Sequence, residues 1–178
     1  MYKRQFSGRH KGRPEEGQKY NLIGIGADYG QQNATTYQAC GINEYQCRLD
    51  GLQEYYHSGR ETGKQKSPSK YAADFADFVE SLQEAYGCNI FYLYLDPSAR
   101  GLQEEIKRTC RQRGLTIHFK DAQNEVALGI ARVQKLLTSG ILRISPDQKH
   151  LIEEFGLYEY DRKLLDKGRE VPVKEHDH

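Results

Sequence analysis

The chain has no tryptophan, one methionine and four cysteines in 178 residues. Cys40, Cys47, Cys88 and Cys110 show no C-x-x-C spacing, which argues against a zinc site or a disulfide framework and reads as four reduced thiols in a cytosolic protein. No apolar run approaches the roughly 20 residues that cross a bilayer, so no transmembrane helix is expected. The opening MYKRQFSGRHKGRP carries positive charge with no apolar stretch behind it, so it is not read as a signal peptide. No G-x-x-x-x-G-K-[ST] phosphate loop occurs. A net charge of +1 does not by itself call for a nucleic-acid partner.

Tyrosine is plentiful, at 13 residues, and 29% of the chain is charged. Length and composition together fit one globular domain with polar edges. Residues 1–18 combine Gly, Pro and basic side chains without apolar period, and read as a basic linker or arm before a domain spanning 19–178.

The stretch Tyr20 to Thr36 organises the rest. Its β-branched run ends at Asp28, with Gly26 and Gly30 on either side. A carboxylate beside a core must be hydrogen-bonded, neutralised or bound to a cation. The glycines allow a tight turn or leave room for a ligand. Gly24 and Gly26 do not make a dinucleotide site, because a strand rather than a helix follows. Strands are expected over 20–28, 35–43 and 45–57, with short links that favour antiparallel neighbours.

Ser67-Pro68 opens a helix whose Tyr71, Phe75, Phe78, Val79, Leu82 and Tyr86 share one face, and Gly87 stops it. Asn89 to Leu95 reads as a strand covered on both faces, ending at Asp96. A helix with Leu102, Ile106 and Cys110 follows, then a strand over 115–119. Asn124 is expected to cap a helix with Val126, Ile130, Val133 and Leu137 inward. Next come a short strand at 141–144 and a capping box at Ser145-Pro146-Asp147-Gln148. Asp166-Lys167-Gly168 has the form of a hairpin turn.

A three-strand meander followed by β-α-β-α gives an α/β mixed sheet with flanking helices. Asp28 and Asp96 then end core strands, and fall side by side if those strands are parallel neighbours. The bland alternatives are an Asx-turn at Asp28 and an ordinary helix cap at Asp96. Two adjacent carboxylates repel unless a divalent cation joins them, and oxygen ligands select Mg²⁺ or Mn²⁺. A third ligand is wanted, and the chain closes on Glu175-His176-Asp177-His178.

Four segments in order resemble the C-terminal nuclease domain of a tailed-phage or prophage terminase large subunit. They are GADYGQQNATT from Gly26 to Thr36, FYLYLDPSA from Phe91 to Ala99, NEVALGIARVQKLLTSGILRI from Asn124 to Ile144, and the closing run from Glu153 to His178. The resemblance implies an RNase H-like fold and an endonuclease that cuts concatemeric double-stranded DNA during packaging. Asp28 and Asp96 match the family's first two metal aspartates. Asp177 and His178 match the opening pair of its D-H-x-x-D-A-x-R-Y motif, whose later aspartate falls three positions past His178, so the final helix reads as truncated.

The implied catalytic set is Asp28, Asp96 and Asp177, with Asp28, Asp96, Asp177 and His178 as metal ligands. Two Mg²⁺ or Mn²⁺ ions about 3.5–4 Å apart would support in-line phosphodiester hydrolysis. Lys64, Lys66, Arg100, Lys120, Arg162 and Lys163 are the expected contacts to backbone phosphates. The implied partners are an ATPase domain, a small terminase subunit and a portal protein, in the host bacterial cytoplasm. Two rivals compete: a non-catalytic DNA-binding or portal-docking module, and an actin-like or sugar-kinase phosphate-binding domain, suggested by Asp28-x-Gly30 with Thr35-Thr36.

Overall fold

A computed structural model describes residues 6–30, 34–123 and 125–157. Six strands form one sheet: β1 (Ile23–Asp28), β2 (Ala34–Asn43), β3 (Arg48–Ser58), β4 (Phe91–Leu95), β5 (Ile117–Asp121) and β6 (Leu142–Ile144). Their order is β5-β4-β1-β2-β3-β6. The meander β1-β2-β3 is antiparallel, as its short links dictate. β4 returns parallel to β1 through a helix, β5 returns parallel to β4, and β6 adds in parallel beside β3. The mixed α/β sheet expected from the sequence is the one observed.

Helices are α1 (Gly59–Thr62), α2 (Pro68–Tyr86), α3 (Arg100–Gln112), α4 (Val126–Thr138) and α5 (Lys149–Leu157). α2 begins where its signals place it: Ser67 accepts from the Lys70 N–H, and Pro68 occupies the first turn. Gly87 ends it in the left-handed region at φ 63°, donating to the Gln83 carbonyl. Tyr71, Phe75, Val79 and Leu82 are buried with Ile23, Ile25, Phe91, Leu93 and Leu95. Tyr37 fixes the contact, meeting the Phe75 ring edge-on at 5.1 Å and donating its hydroxyl to the Tyr71 carbonyl. Truncating Phe75 to Ala at this junction should cost about 3–5 kcal/mol.

A second, smaller core joins Ile130, Leu137, Ile144 and Phe155. Phe6 packs on Phe155 with ring centroids 5.0 Å apart, and the Gly12 N–H donates to the Ile144 carbonyl. The described part of the basic arm is thus seated against β6 and α5. Its composition gave no sign of this, because backbone hydrogen bonds and one phenylalanine hold it.

Several local expectations differ from the structure. β4 is buried at Phe91, Leu93 and Leu95, but Tyr94 is 45% exposed, so the strand is covered on one face only. Val126 is exposed rather than inward, because α4 turns only Ile130, Val133 and Leu137 to the second core. β3 starts at Arg48, leaving residues 44–47 as the turn from β2. Ser145 Oγ accepts from the Asp147 N–H in a turn, and α5 starts only at Lys149. The Asn124 cap and the hairpin at 166–168 lie outside the described residues.

Candidate active site

β1 and β4 run parallel, with Ala27 registered against Leu95. The next residue on each strand is therefore Asp28 and Asp96, leaving the same end of the sheet on neighbouring strands. Both line one cleft of about 410 Å³, together with Tyr29, Pro68, Ser98, Ala99 and Gly101. The cleft lies where α2 and α3 begin, beyond the carboxyl ends of parallel strands, where open α/β sheets commonly bind ligands.

Asp28 is exposed, not buried beside a core as its apolar run suggests. The sheet stops at this residue, which brings its carboxylate to the cleft rather than to the core. Asp96 is partly buried, and its Oδ1 accepts from the Ser98 N–H at 2.7 Å. This is an Asx-turn four residues ahead of α3, whose N-cap is Ala99. Asp96 is therefore not the helix cap that Asp-Pro suggests. Gly26 lies within β1 at an extended, not left-handed, φ, so a tight turn is not its reason. A Cβ placed there would meet nothing within 4 Å, which leaves the open face of β1 accessible next to Asp28.

The donor set fits a hard divalent ion: two carboxylates, both oxygen ligands, on adjacent strands of a rigid sheet. Among the described residues no group of three Asp, Glu, His or Cys side chains is gathered. Asp177 and His178, the expected further ligands, lie outside the described residues, as do Arg162 and Lys163.

The remaining cationic candidates separate. Arg100 is exposed at the start of α3, beside Ser98 and Gly101 of the cleft. Lys64 is exposed in the segment leading from α1 to α2, at the carboxyl end of β3. Lys120 is exposed on β5, its Nζ 5.8 Å from the Tyr92 ring centre. Lys66 instead turns inward. Its Nζ is 2.7 Å from Asp74 Oδ2 and 3.1 Å from the Tyr55 hydroxyl.

Lys66 belongs to a polar cluster that the sequence did not mark. Tyr29 meets the Tyr71 ring edge-on at 5.8 Å, and the Tyr71 hydroxyl lies 3.0 Å from His57 Nδ1. His57 Nε2 is 3.3 Å from Thr62 Oγ1. Burial, reinforced by the Lys66 charge, holds the His57 imidazolium below its ordinary range. Burial likewise pushes the Tyr29 phenol up. Both rings thus stay neutral near pH 7, and Tyr29 brings its uncharged ring to the cleft beside Asp28. Only the strand assignment of His57 could have placed it at this end of the sheet.

No family model matches the chain. No curated protein matches it in sequence. Its fold is that of solved terminases. The large terminase from a thermophilic bacteriophage superposes with a TM-score of 0.81 and 27% identity, over 99% of this chain and 42% of that one. The chain therefore spans less than half the length of that relative. The P22 large terminase nuclease domain gives a TM-score of 0.69 at 14% identity, covering 95% of this chain and 81% of the other. A human cytomegalovirus terminase nuclease domain, soaked with Mn and bound to an inhibitor, gives 0.62 at 11% identity, covering 79% and 74%. The fold is RNase H-like, as these nuclease domains are.

Proposed function

We infer that this chain, a terminase large-subunit nuclease domain by its fold, is a metal-dependent endonuclease that cuts concatemeric double-stranded DNA during viral packaging. The observation that carries the reading is the placement of Asp28 and Asp96 on adjacent parallel strands, both lining one cleft.

Asp28 and Asp96 would hold Mg²⁺ or Mn²⁺. When bound, such ions lower the pKa of a water and neutralise charge on the scissile phosphate and the leaving oxygen. The protein's own contribution is placement. The hydrogen-bonded ladder of β1 and β4 fixes the backbone beneath each carboxylate. The Ser98 N–H orients Asp96 by holding one of its oxygens. Arg100 and Lys64 sit at the mouth end of the sheet, where they can anchor the phosphodiester backbone without reading bases. The open face at Gly26 leaves room for the strand carrying the scissile bond.

Asp177 or His178 would complete the ligand set. An ATPase domain, a small terminase subunit and a portal protein are the proposed partners, in the host bacterial cytoplasm. The test is plasmid nicking in Mn²⁺ or Mg²⁺ together with the melting temperature. The nuclease reading expects metal-dependent nicking, a metal-dependent rise in Tm and no response to ATP. Stabilisation by ATP with no nicking would favour a kinase-like phosphate site. Absence of both responses would leave a docking module.

A further inference from the structure

At the other end of the sheet lies a cavity of about 390 Å³ lined by Arg9, His10, Arg48, Thr138, Ser139, Gly140, Leu142 and Arg143. Arg48 and Leu142 are the first residues of β3 and β6. β3 runs parallel to β1, since each is antiparallel to β2. The cavity therefore opens at the end of the sheet remote from Asp28 and Asp96, and is separate from the cleft described above.

Three of the lining residues are arginines and none is acidic. Among the described residues the carboxylate in contact with them is Asp50, which is 1% exposed. It takes two hydrogen bonds from Arg48, at 2.6 and 3.3 Å, and lies 3.3 Å from Arg143 Nε. One negative charge thus faces two guanidinium groups. Arg143 Nε has that ion-pair approach but no aligned hydrogen bond, and Nη2 is buried with no acceptor among the described residues. Native proteins leave few such donors unmatched, and each needs an explanation.

Arg9 adds a third cation, and the histidine next to it does not satisfy it. His10 Nδ1 lies 3.0 Å from the Ser7 backbone N–H, so that nitrogen is the acceptor. Nε2 then carries the ring proton, and donates it to the Leu137 carbonyl at 2.9 Å. The 3.3 Å approach of Arg9 Nε to the same Nε2 is donor to donor, not a hydrogen bond. Arg9 is exposed at the cavity wall with its hydrogen-bonding capacity unspent. Thr138 and Ser139 line the same wall, the Ser139 hydroxyl being donated to the Lys135 carbonyl at 2.8 Å.

We propose that this cavity is a phosphate-binding site, in which Arg9, Arg48 and Arg143 receive a phosphate group from a DNA backbone or a free phosphate ester. Two net positive charges, counted as three arginines against Asp50, and planar guanidinium forks suit a tetrahedral oxyanion. The site works as an anchor without chemistry of its own.

The test uses the full chain in EDTA, so that no metal-dependent step intervenes. Inorganic phosphate at about ten times its dissociation constant should raise Tm by roughly 3 °C, and chloride at equal ionic strength should not. Arg9→Glu should abolish the shift, and Asp28→Asn should keep it. Arg9 touches neither core, so its variants should fold.

In a second arm, a 20-base-pair duplex is titrated by fluorescence anisotropy across salt concentrations. If the phosphate comes from DNA, Arg9→Ala lowers the slope of log affinity against log salt by about one. If duplex binding is unchanged but the phosphate shift is lost, the occupant is a free phosphate ester. The proposal is overturned if neither arm distinguishes wild type from the Arg9 variants. The Asp28→Asn control separates that failure from failure of the nuclease reading.

Discussion

Ala27 on β1 pairs in register with Leu95 on β4, so the aspartates that follow them leave the sheet at one level on neighbouring strands. Residues 28 and 96 are far apart along the chain. Parallel pairing through α2 is what brings them to one cleft, and a register slip of one residue would send either side chain to the other face.

Asp28→Asn should therefore remove DNA cleavage and leave the fold intact, because it keeps the shape and deletes the ligand charge. The expected result is at least a hundredfold loss of plasmid nicking in Mn²⁺, with metal-free Tm within about 1 °C of wild type, since surface substitutions mostly stay within ±0.5 kcal/mol. Full cleavage by this variant would remove Asp28 from the site.

Gly26 gives a second test, two residues before Asp28 on β1. Its backbone is extended and a Cβ there meets no atom within 4 Å. Gly26→Ala should then leave stability unchanged or raise it by about 0.4–1 kcal/mol, through the unfolded chain. If the open face of β1 admits the scissile strand, the larger Gly26→Val should slow cleavage while metal still raises Tm. Unimpaired cleavage by Gly26→Val would place the substrate elsewhere.

Much of this arrangement was legible in the sequence because it rests on strong local signals. The apolar runs ending at Asp28 and Asp96, and the helix bounded by Ser67-Pro68 and Gly87, were readable locally, whereas the parallel pairing of β4 with β1 across the intervening meander remained a condition that the structure meets. Other features were hidden because they depend on tertiary partners. Residues 6–13 are polar, yet Phe6, the buried His10 and the Gly12 N–H seat them on the second core. Lys66 reads as a surface cation, yet it is drawn to Asp74, nearly two helical turns into α2. Periodicity placed Val126 inward, although α4 packs only from Ile130 onward.

Lys66 should accordingly behave as a structural residue. Its side chain is 27% exposed, and its ammonium bridges Asp74, whose side chain is 13% exposed, and the Tyr55 hydroxyl. Removing it in Lys66→Met leaves a largely buried carboxylate without its closest cation, at a cost of roughly 1–3 kcal/mol. Tm should fall by about 2–12 °C, at 2–4 °C per kcal/mol for a chain of this size. Arg100→Ala should do the opposite, holding Tm and weakening duplex binding. A Lys66→Met variant with unchanged Tm would return Lys66 to the surface cations.

Asp50 makes the stability of the fold depend on pH. Burial pushes its carboxyl up, but hydrogen bonds from Arg48 and Tyr20, with the Arg48 and Arg143 charges, outweigh burial and hold it below the usual carboxylate range. A carboxyl whose pKa is lower folded than unfolded stabilises the protein above its unfolded value of about 3.9 and loses that contribution as pH falls through the folded value. Asp50→Asn keeps a hydrogen-bond acceptor for Tyr20 but leaves two guanidinium groups uncompensated, so it should cost about 3–5 kcal/mol at neutral pH, as for other broken buried pairs. Thermal melts of both proteins from pH 7 to pH 3 should show a constant gap down to about pH 4 and a narrowing gap below it. A gap that is absent at pH 7, or that widens in acid, would show that Asp50 is not held ionised by its arginines.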